Sequence, residues 1–150
     1  MRAVLAFALA AGLGTAARAD ERMEQIVAVE PHAGAFVVPV VLNDVLTAKF
    51  IVDSGAADVS ITEDMVSALM KSGTLTSADL LGNKLYMLAD GTMHQGQIYR
   101  MASLRIGAMV MKDVTVRIAA GNSSLLLGQS FLRRLKSWSM DNARQVLIIN

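Results

Sequence analysis

The alternation of apolar and polar positions in this chain is typical of β-strands over most of its length. The clearest case is 46–52, where every second residue from Leu46 to Val52 is apolar, and Thr47 and Lys49 lie between them. Turn residues separate such runs from one another. Strands are predicted at 25–29, 35–42, 46–52, 59–61, 85–88, 97–106 and 146–149, with shorter buried or half-buried runs at 114–118 and 125–127.

Two short helices are predicted between the strands. Thr62 is placed to cap the first helix, acidic residues fill its first turn, and Gly73 follows its last apolar position. Ser130 is predicted to cap the second helix, with Phe131 facing inward. Residues 74–84 are polar and predicted to be irregular. The pattern therefore predicts one domain that is mainly β.

The first 19 residues are interpreted as a signal peptide and not as part of the fold. The basic start Met1-Arg2 precedes an apolar stretch, and Ala17-Arg18-Ala19 has the small-x-small form of a signal-peptidase site. The apolar stretch is shorter than the roughly 20 residues that a membrane span needs. We expect cleavage after Ala19, a mature domain over 20–150 and a periplasmic or secreted protein without a membrane span. The alternative is an uncleaved N-terminal anchor.

The composition of residues 20–150 limits the partners, cross-links and cofactors that we expect. Without Arg2 and Arg18, 12 basic residues face 13 acidic ones, a net charge of −1, which disfavours nucleic acid as a partner. There is no cysteine, so an exported domain must rely on core packing or oligomerisation. His32 and His94 lie beside turn residues, without zinc-like spacing, and both are predicted in exposed loops. We expect no cofactor and no metal.

The tripeptide Asp53-Ser54-Gly55 is the strongest candidate for chemistry. It follows the apolar run 50–52 and precedes Ala56, so a hairpin of 35–42 and 46–52 would deliver Asp53 at its end. A second, longer hairpin is predicted around 89–92, where Asp90-Gly91 is a strong turn signal. The alternatives are a turn aspartate that accepts backbone hydrogen bonds and an ordinary hairpin turn.

The chain resembles the retroviral-type, or retropepsin-like, aspartic proteases, and among them the small exported bacterial members. Phe50-Ile51-Val52-Asp53-Ser54-Gly55-Ala56 is similar to the family's apolar-apolar-Asp-Thr/Ser-Gly-Ala. Leu125-Leu126-Leu127-Gly128, followed by Ser130-Phe131-Leu132, is similar to its apolar-apolar-Gly element before a short helix. The departures are Ser54 for the commoner Thr, Gln129-Ser130 where viral members usually have a charged or amide pair, and a single glycine at the hairpin tip.

The resemblance implies an all-β, retropepsin-like closed barrel of six to eight strands with one or two short helices. One Asp-Ser-Gly supplies half of a pepsin-type active site, since aspartic proteolysis needs two carboxylates that share a proton. A C2 homodimer is therefore implied, with the end strands 25–29 and 146–149 interleaved between the two copies. The implied site residues are the catalytic Asp53, the active-site loop supports Ser54, Gly55, Ala56, Leu127 and Gly128, and the flap residues Ala89, Asp90, Gly91 and Thr92.

We therefore hypothesise an exported, homodimeric aspartic endopeptidase that hydrolyses protein or peptide substrates with a water activated by paired Asp53 carboxylates. Ser54 would hydrogen-bond across the dimer. The alternative is a non-catalytic dimeric peptide-binding module of the cell envelope, which would capture an extended segment by strand addition. The intact Asp-Ser-Gly favours the enzyme, because binding alone does not need a carboxylate pair held at electrostatic cost. A structural protein of the envelope is a third, weaker hypothesis.

Overall fold

The structure, a computed structural model, describes residues 24–88, 90–121 and 123–150. The predicted signal segment 1–19 and Ala89 lie outside these residues. The strands are β1 (Gln25–Ala28), β2 (Glu30–His32), β3 (Ala35–Leu42), β4 (Leu46–Val52), β5 (Val59–Ile61), β6 (Leu80–Met87), β7 (Met93–Ile106), β8 (Met109–Ile118), β9 (Leu126–Leu127), β10 (Trp138–Asp141) and β11 (Val146–Ile149). The helices are α1 (Glu63–Lys71) and α2 (Gln129–Leu132), with a 3₁₀ turn at Ser77–Asp79.

Six of the strands close into a barrel in the order β3-β4-β9-β5-β8-β7. The ring closes where β7 pairs with β3 through Val41 with Arg105 and Leu42 with Leu104. The pairs β4–β9 and β5–β8 are parallel, whereas the other strand pairs of this sheet are antiparallel. Strands β2 and β6 extend the sheet beyond the ring. The prediction of an all-β closed barrel with one or two short helices is confirmed.

The barrel interior is filled by the inward-facing side chains of these strands. On β4, Phe50 is fully buried, whereas the preceding Lys49 is exposed. Burial of each large apolar side chain contributes about 1.5–3 kcal/mol to stability. The largest fully buried side chains are Phe50, Phe131, Leu42, Ile61, Leu69, Leu75, Met101, Leu104, Ile106, Leu127, Leu132 and Leu147. This packing fixes the ends of β4 and β9, where the candidate site lies.

The two helices begin in different ways. Thr62 caps α1, where its side chain accepts a hydrogen bond from the Met65 N–H. The predicted cap of α2 is wrong, because Gly128 occupies the N-cap position and Ser130 lies inside the helix. The buried Ser130 Oγ instead accepts from the Val59 N–H at 2.8 Å and donates to the Thr115 carbonyl at 2.7 Å. Ser130 therefore joins α2 to the barrel.

Two other predictions about local structure are wrong. Residues 74–84 are not irregular throughout, since β6 begins at Leu80. Strand β6 is exposed on both faces over most of its length, so its sequence lacks a buried stripe, and pairing with β7 holds it in place. The histidines lie on strands and not in loops: His32 ends β2, and His94 lies on β7.

The two end strands form a separate small sheet. Strand β11 lies in its centre and pairs antiparallel with β1 on one side and β10 on the other. The two end strands thus pair with each other within one chain, and their interleaving with a second copy stays a prediction. Within the described ranges, no helix is long and apolar enough to cross a membrane.

Candidate active site

Asp53 lies at the end of β4, beside the end of β9. The Ile51 N–H donates to the Leu125 carbonyl at 2.9 Å, and the Asp53 N–H donates to the Leu127 carbonyl at 3.2 Å. Because β4 and β9 are parallel, their carboxyl ends meet at the same edge of the barrel. The fold thus brings together the two segments that the sequence singled out, 53–56 and 125–128.

The Asp53 carboxylate is held by the turn that follows it. Its Oδ1 atom accepts a hydrogen bond from the Gly55 N–H at 2.8 Å, and its carbonyl accepts one from the Ala56 N–H at 3.3 Å. A Cβ atom on Gly55 would lie 3.2 Å from Oδ1. The glycine therefore lets the backbone approach the carboxylate, and one of the two carboxylate oxygens is oriented by the protein itself.

Gly128 lies directly beneath the loop formed by residues 53–58, which we call the acid loop. A Cβ atom on Gly128 would lie 2.3 Å from the Asp58 carbonyl oxygen and 2.7 Å from that of Ala56. The Gly128 φ is −94°, so the glycine is required by space and not by an unusual backbone conformation. The Gln129 N–H donates to the Ala56 carbonyl at 2.8 Å. The start of α2 thus packs against the acid loop.

The Gln129 side chain also contacts the acid loop. Its Nε2 atom donates to the Ser54 carbonyl at 2.8 Å, across 75 residues of sequence. The sequence marked Gln129 only as a departure from the viral pattern, since nothing local indicates which backbone group its amide will reach. The Ser54 side chain is exposed, and its hydrogen bond across a dimer stays a prediction.

The hairpin of β6 and β7 ends in a tight turn. The Leu88 N–H donates to the Thr92 carbonyl at 2.8 Å, and Gly91 adopts φ +85°. The Asp90 Oδ1 atom accepts from both the hydroxyl and the N–H of Thr92, at 2.7 and 2.9 Å. These bonds, that of the hydroxyl first, hold the pKa of Asp90 below its ordinary value. Of the four residues predicted for the flap, Ala89 lies outside the described residues.

A cleft of about 440 Å³ lies between the acid loop and this hairpin. Asp53, Gly55 and Ala56 line one side, and Met87 and Leu88 of the hairpin line another. Its volume lies within the range of about 300–1,000 Å³ that is usual for ligand sites. The half-buried Asp53 carboxylate thus borders a space large enough for several side chains of an extended peptide.

A larger cavity, of about 590 Å³, lies between β8, the segment that follows α2 and the end strands. Its described lining includes Lys112 and Arg134 but no Asp or Glu side chain. Its described lining therefore offers no Asp or Glu side chain for acid–base chemistry. In the part of the chain that the structure describes, no three His, Asp or Glu side chains are grouped so that they could hold a metal ion.

A salt bridge joins the acid loop to the base of the long hairpin. Asp58 is buried, and its Oδ2 atom lies 2.8 Å from the Nζ atom of Lys84 on β6. The Lys84 side chain remains half exposed. The sequence did not indicate this pair, because Lys84 lies in the segment that was predicted to be irregular.

Comparison with known proteins shows which family and which solved structures this chain is similar to. The sequence profile of a family described as gag-polyprotein putative aspartyl protease matches residues 38–134. Among solved structures, the crystal structure of a retropepsin-like aspartic protease from Rickettsia conorii is similar, with a TM-score of 0.62 and 29% sequence identity. The similarity covers 85% of this chain and 90% of that chain. No curated protein shows a significant match.

Proposed function

Because the chain belongs to the family of gag-polyprotein putative aspartyl proteases and is retropepsin-like, we propose that it is a homodimeric aspartic endopeptidase with Asp53 as its catalytic carboxylate. The observation that carries the proposal is the position of Asp53, at the end of β4 and on the wall of the cleft beneath the long hairpin. One chain supplies one such carboxylate. The complete site therefore requires a second copy related by a two-fold axis.

The proposed mechanism follows from the charge of the pair. Two carboxylates about 3 Å apart cannot both stay ionised, so they hold one proton between them. The protonated carboxyl polarises the peptide carbonyl, and the ionised one takes a proton from the water that attacks the carbonyl carbon. The C–N bond then breaks as the amide nitrogen receives a proton. No covalent enzyme intermediate forms.

The contacts of the acid loop suit this chemistry. The Gly55 N–H bond fixes Oδ1, which leaves Oδ2 of Asp53 for proton transfer. Gly128 and Leu127 support the loop from below, and Gln129 holds Ser54 through its backbone carbonyl. We assign to the long hairpin the role of a flap that closes over the substrate and excludes water.

We also propose that the enzyme acts outside the cytoplasm, after removal of residues 1–19. The support is the basic start, the short apolar stretch and the small residues Ala17 and Ala19 around the expected cleavage point. Sequencing of the N-terminus after expression with the native leader tests this. Asp20 as the first residue is expected, and a retained Met1 would contradict it.

Cleavage of a diverse peptide pool between pH 4 and 7, with products identified by mass spectrometry, tests the activity. The Asp53→Asn variant should lose at least about 10³-fold in rate, since it removes the acid–base group. Asp113→Asn is the matched control, because Asp113 is exposed on β8 and has φ +53°, which asparagine tolerates. Cleavage by Asp53→Asn at the wild-type rate would refute the assignment. Peptides that bind but stay intact would favour the peptide-binding module.

A further inference from the structure

One wall of the cleft carries two polar residues that the proposed mechanism does not use. Ser60 on β5 and Arg117 on β8 are directly paired in the register of these parallel strands. Both line the cleft that Asp53 also lines. Partners in register on neighbouring strands direct their side chains to the same face of the sheet. A hydroxyl and a guanidinium therefore lie side by side near the candidate catalytic carboxylate.

The Arg117 guanidinium is positioned by aromatic contacts. Its central carbon lies 4.2 Å from the centre of the Tyr86 ring, and Tyr86 stacks on His94 with ring centres 6.3 Å apart. Tyr86 and His94 face each other on the two arms of the long hairpin. Stacking covers one face of the planar guanidinium but leaves the N–H donors along its edge for other partners. The aromatic pair thus orients Arg117 without satisfying its donors.

Nearby negative charge does not neutralise Arg117. Within the described ranges, the ion pairs join other residues, and none includes Arg117. The buried Asp58 carboxylate is paired with Lys84. In the described lining of the cleft, Asp53 is the one carboxylate side chain, and the proposed chemistry engages it. The wall therefore offers a positive charge to whatever occupies the cleft.

Ser60 adds a second unused donor. It is fully buried, and its Oγ atom has no hydrogen-bond partner in the part of the chain that the structure describes. A buried hydroxyl without a partner is unfavourable and is rare in native structures. A bound acceptor would satisfy it.

We propose that this wall selects substrates with an acidic side chain close to the scissile bond. Both carboxylate oxygens of a Glu or Asp accept from the Arg117 edge, and one of them also accepts from the Ser60 hydroxyl. A carboxylate suits a guanidinium because it accepts two N–H bonds in one plane, and charge-assisted hydrogen bonds of this kind are the stronger ones. The inference rests on the proposed function, since it names the substrate class of that site.

Peptide pairs that differ only by Glu or Gln, placed in turn at each position around the cleaved bond, test the proposal. For the wild-type protein we expect at least about tenfold higher kcat/KM for Glu at one position. In Arg117→Gln the ratio of the two rates should fall to about one, and in Arg117→Lys it should be intermediate, since the charge is kept but the planar fork is lost. Ser60→Ala should lower the ratio less. Arg100→Gln, which removes an exposed charge from β7, is the matched control and should keep the wild-type ratio.

The same peptide pairs should be measured for binding to Asp53→Asn, by fluorescence anisotropy, with and without Arg117→Gln. This measurement separates the proposed selectivity from the proposed function. If the wild type cleaves no peptide, the proposed function fails, but the ratio of the affinities for the Glu and Gln peptides still tests the selectivity. About tenfold tighter binding of the Glu peptide, lost with Arg117→Gln, supports the proposal. Equal binding of the Glu and Gln peptides at every position would overturn the proposal. A Glu-to-Gln binding ratio that is unchanged by Arg117→Gln would overturn it as well.

Discussion

At the scale of single residues, two glycines leave the space that the candidate site needs, each for a different neighbouring group. Gly128 makes room for the backbone of the acid loop, whereas Gly55 makes room for the Asp53 carboxylate. A backbone carbonyl in a packed barrel cannot move aside cheaply, but a half-buried carboxylate at the edge of a cleft can. The same one-carbon change should therefore affect folding at one position and chemistry at the other.

Gly128→Ala is expected to destabilise the fold by about 3 kcal/mol or more, because its Cβ would overlap two carbonyl oxygens. Gly55→Ala is expected to cost less than about 1 kcal/mol, since only the Asp53 side chain must give way, but to lower the rate of peptide cleavage. Urea unfolding and peptide cleavage, measured on both variants, separate the two effects. Equal losses of stability would show that the acid loop adapts to Gly128→Ala.

At the scale of elements, we expect the turn of the long hairpin to be sensitive to pH through Asp90. The Asp90 carboxylate accepts two bonds from Thr92, and they lower its pKa in the folded state. Because the pKa is lowered in the folded state, the two hydrogen bonds of the Asp90 carboxylate contribute fully to stability above the ordinary pKa of an aspartate. This contribution is lost as the pH falls through the lowered pKa. The hairpin tip should therefore loosen only in acid.

Thr92→Val removes the hydroxyl that is the larger cause of this shift, and the pKa of Asp90 should rise towards its ordinary value. An NMR titration of the carboxyl groups measures the change. Asp79 is the internal control, because Thr76 holds its pKa down in the same way and is untouched by the substitution. An unchanged Asp90 titration would contradict the role given to the Thr92 hydroxyl.

The base of the same hairpin is tied to the acid loop by Lys84 and Asp58. Lys84→Met leaves a buried carboxylate without its partner and should cost about 1–3 kcal/mol, less than for a fully buried pair because Lys84 is half exposed. Faster hydrogen exchange on β6 is also expected. Lys49→Met, which breaks an exposed pair with Glu30, is the matched control and should cost less than about 0.5 kcal/mol. Equal costs for the two variants would contradict the tether.

The elements that could be predicted from sequence are those with a buried face and clear turns. Strands β3, β4, β5 and β11 have the predicted bounds, because their apolar residues point into the core. Strand β10 and the first part of β6, before the predicted strand 85–88, could not be found in this way: β6 is largely exposed, and the four residues of β10 have no strong periodicity. Their neighbours in the sheets decide their conformation.

The same distinction holds for the candidate site, where local features could be predicted from the sequence and contacts between distant segments could not. Asp53 and its glycine turn are local features, so their sequence indicated the loop and its placement at the end of a strand. Three contacts of the site join residues that are 26 to 75 positions apart: Gln129 with Ser54, Ser130 with Val59, and Lys84 with Asp58. The contact of Ser130 with Thr115 spans only 15 positions. Such contacts depend on how the barrel closes, and a single sequence does not reveal them.

At the scale of the whole molecule, the proposed chemistry requires two chains. The end-strand sheet has a feature that suits a second copy: β1 is an edge strand, and about half of the Ile26 side chain is exposed on it. An exposed apolar edge strand is a place where another chain can pair. The predicted interleaving would use this edge without disturbing the barrel that carries Asp53.

Mixing wild type with Asp53→Asn tests whether the two chains share one site. After free exchange of an equal mixture, about a quarter of the dimers carry two Asp53 carboxylates, because pairing of like chains is random. Mixed dimers hold one carboxylate and should be inactive, so activity should fall to about a quarter of that of the same total amount of wild type. The Asp113→Asn variant, mixed in the same way, should leave the activity nearly unchanged. A fall to only about a half would mean that each chain works alone, and the carboxylate pair would then have to be abandoned.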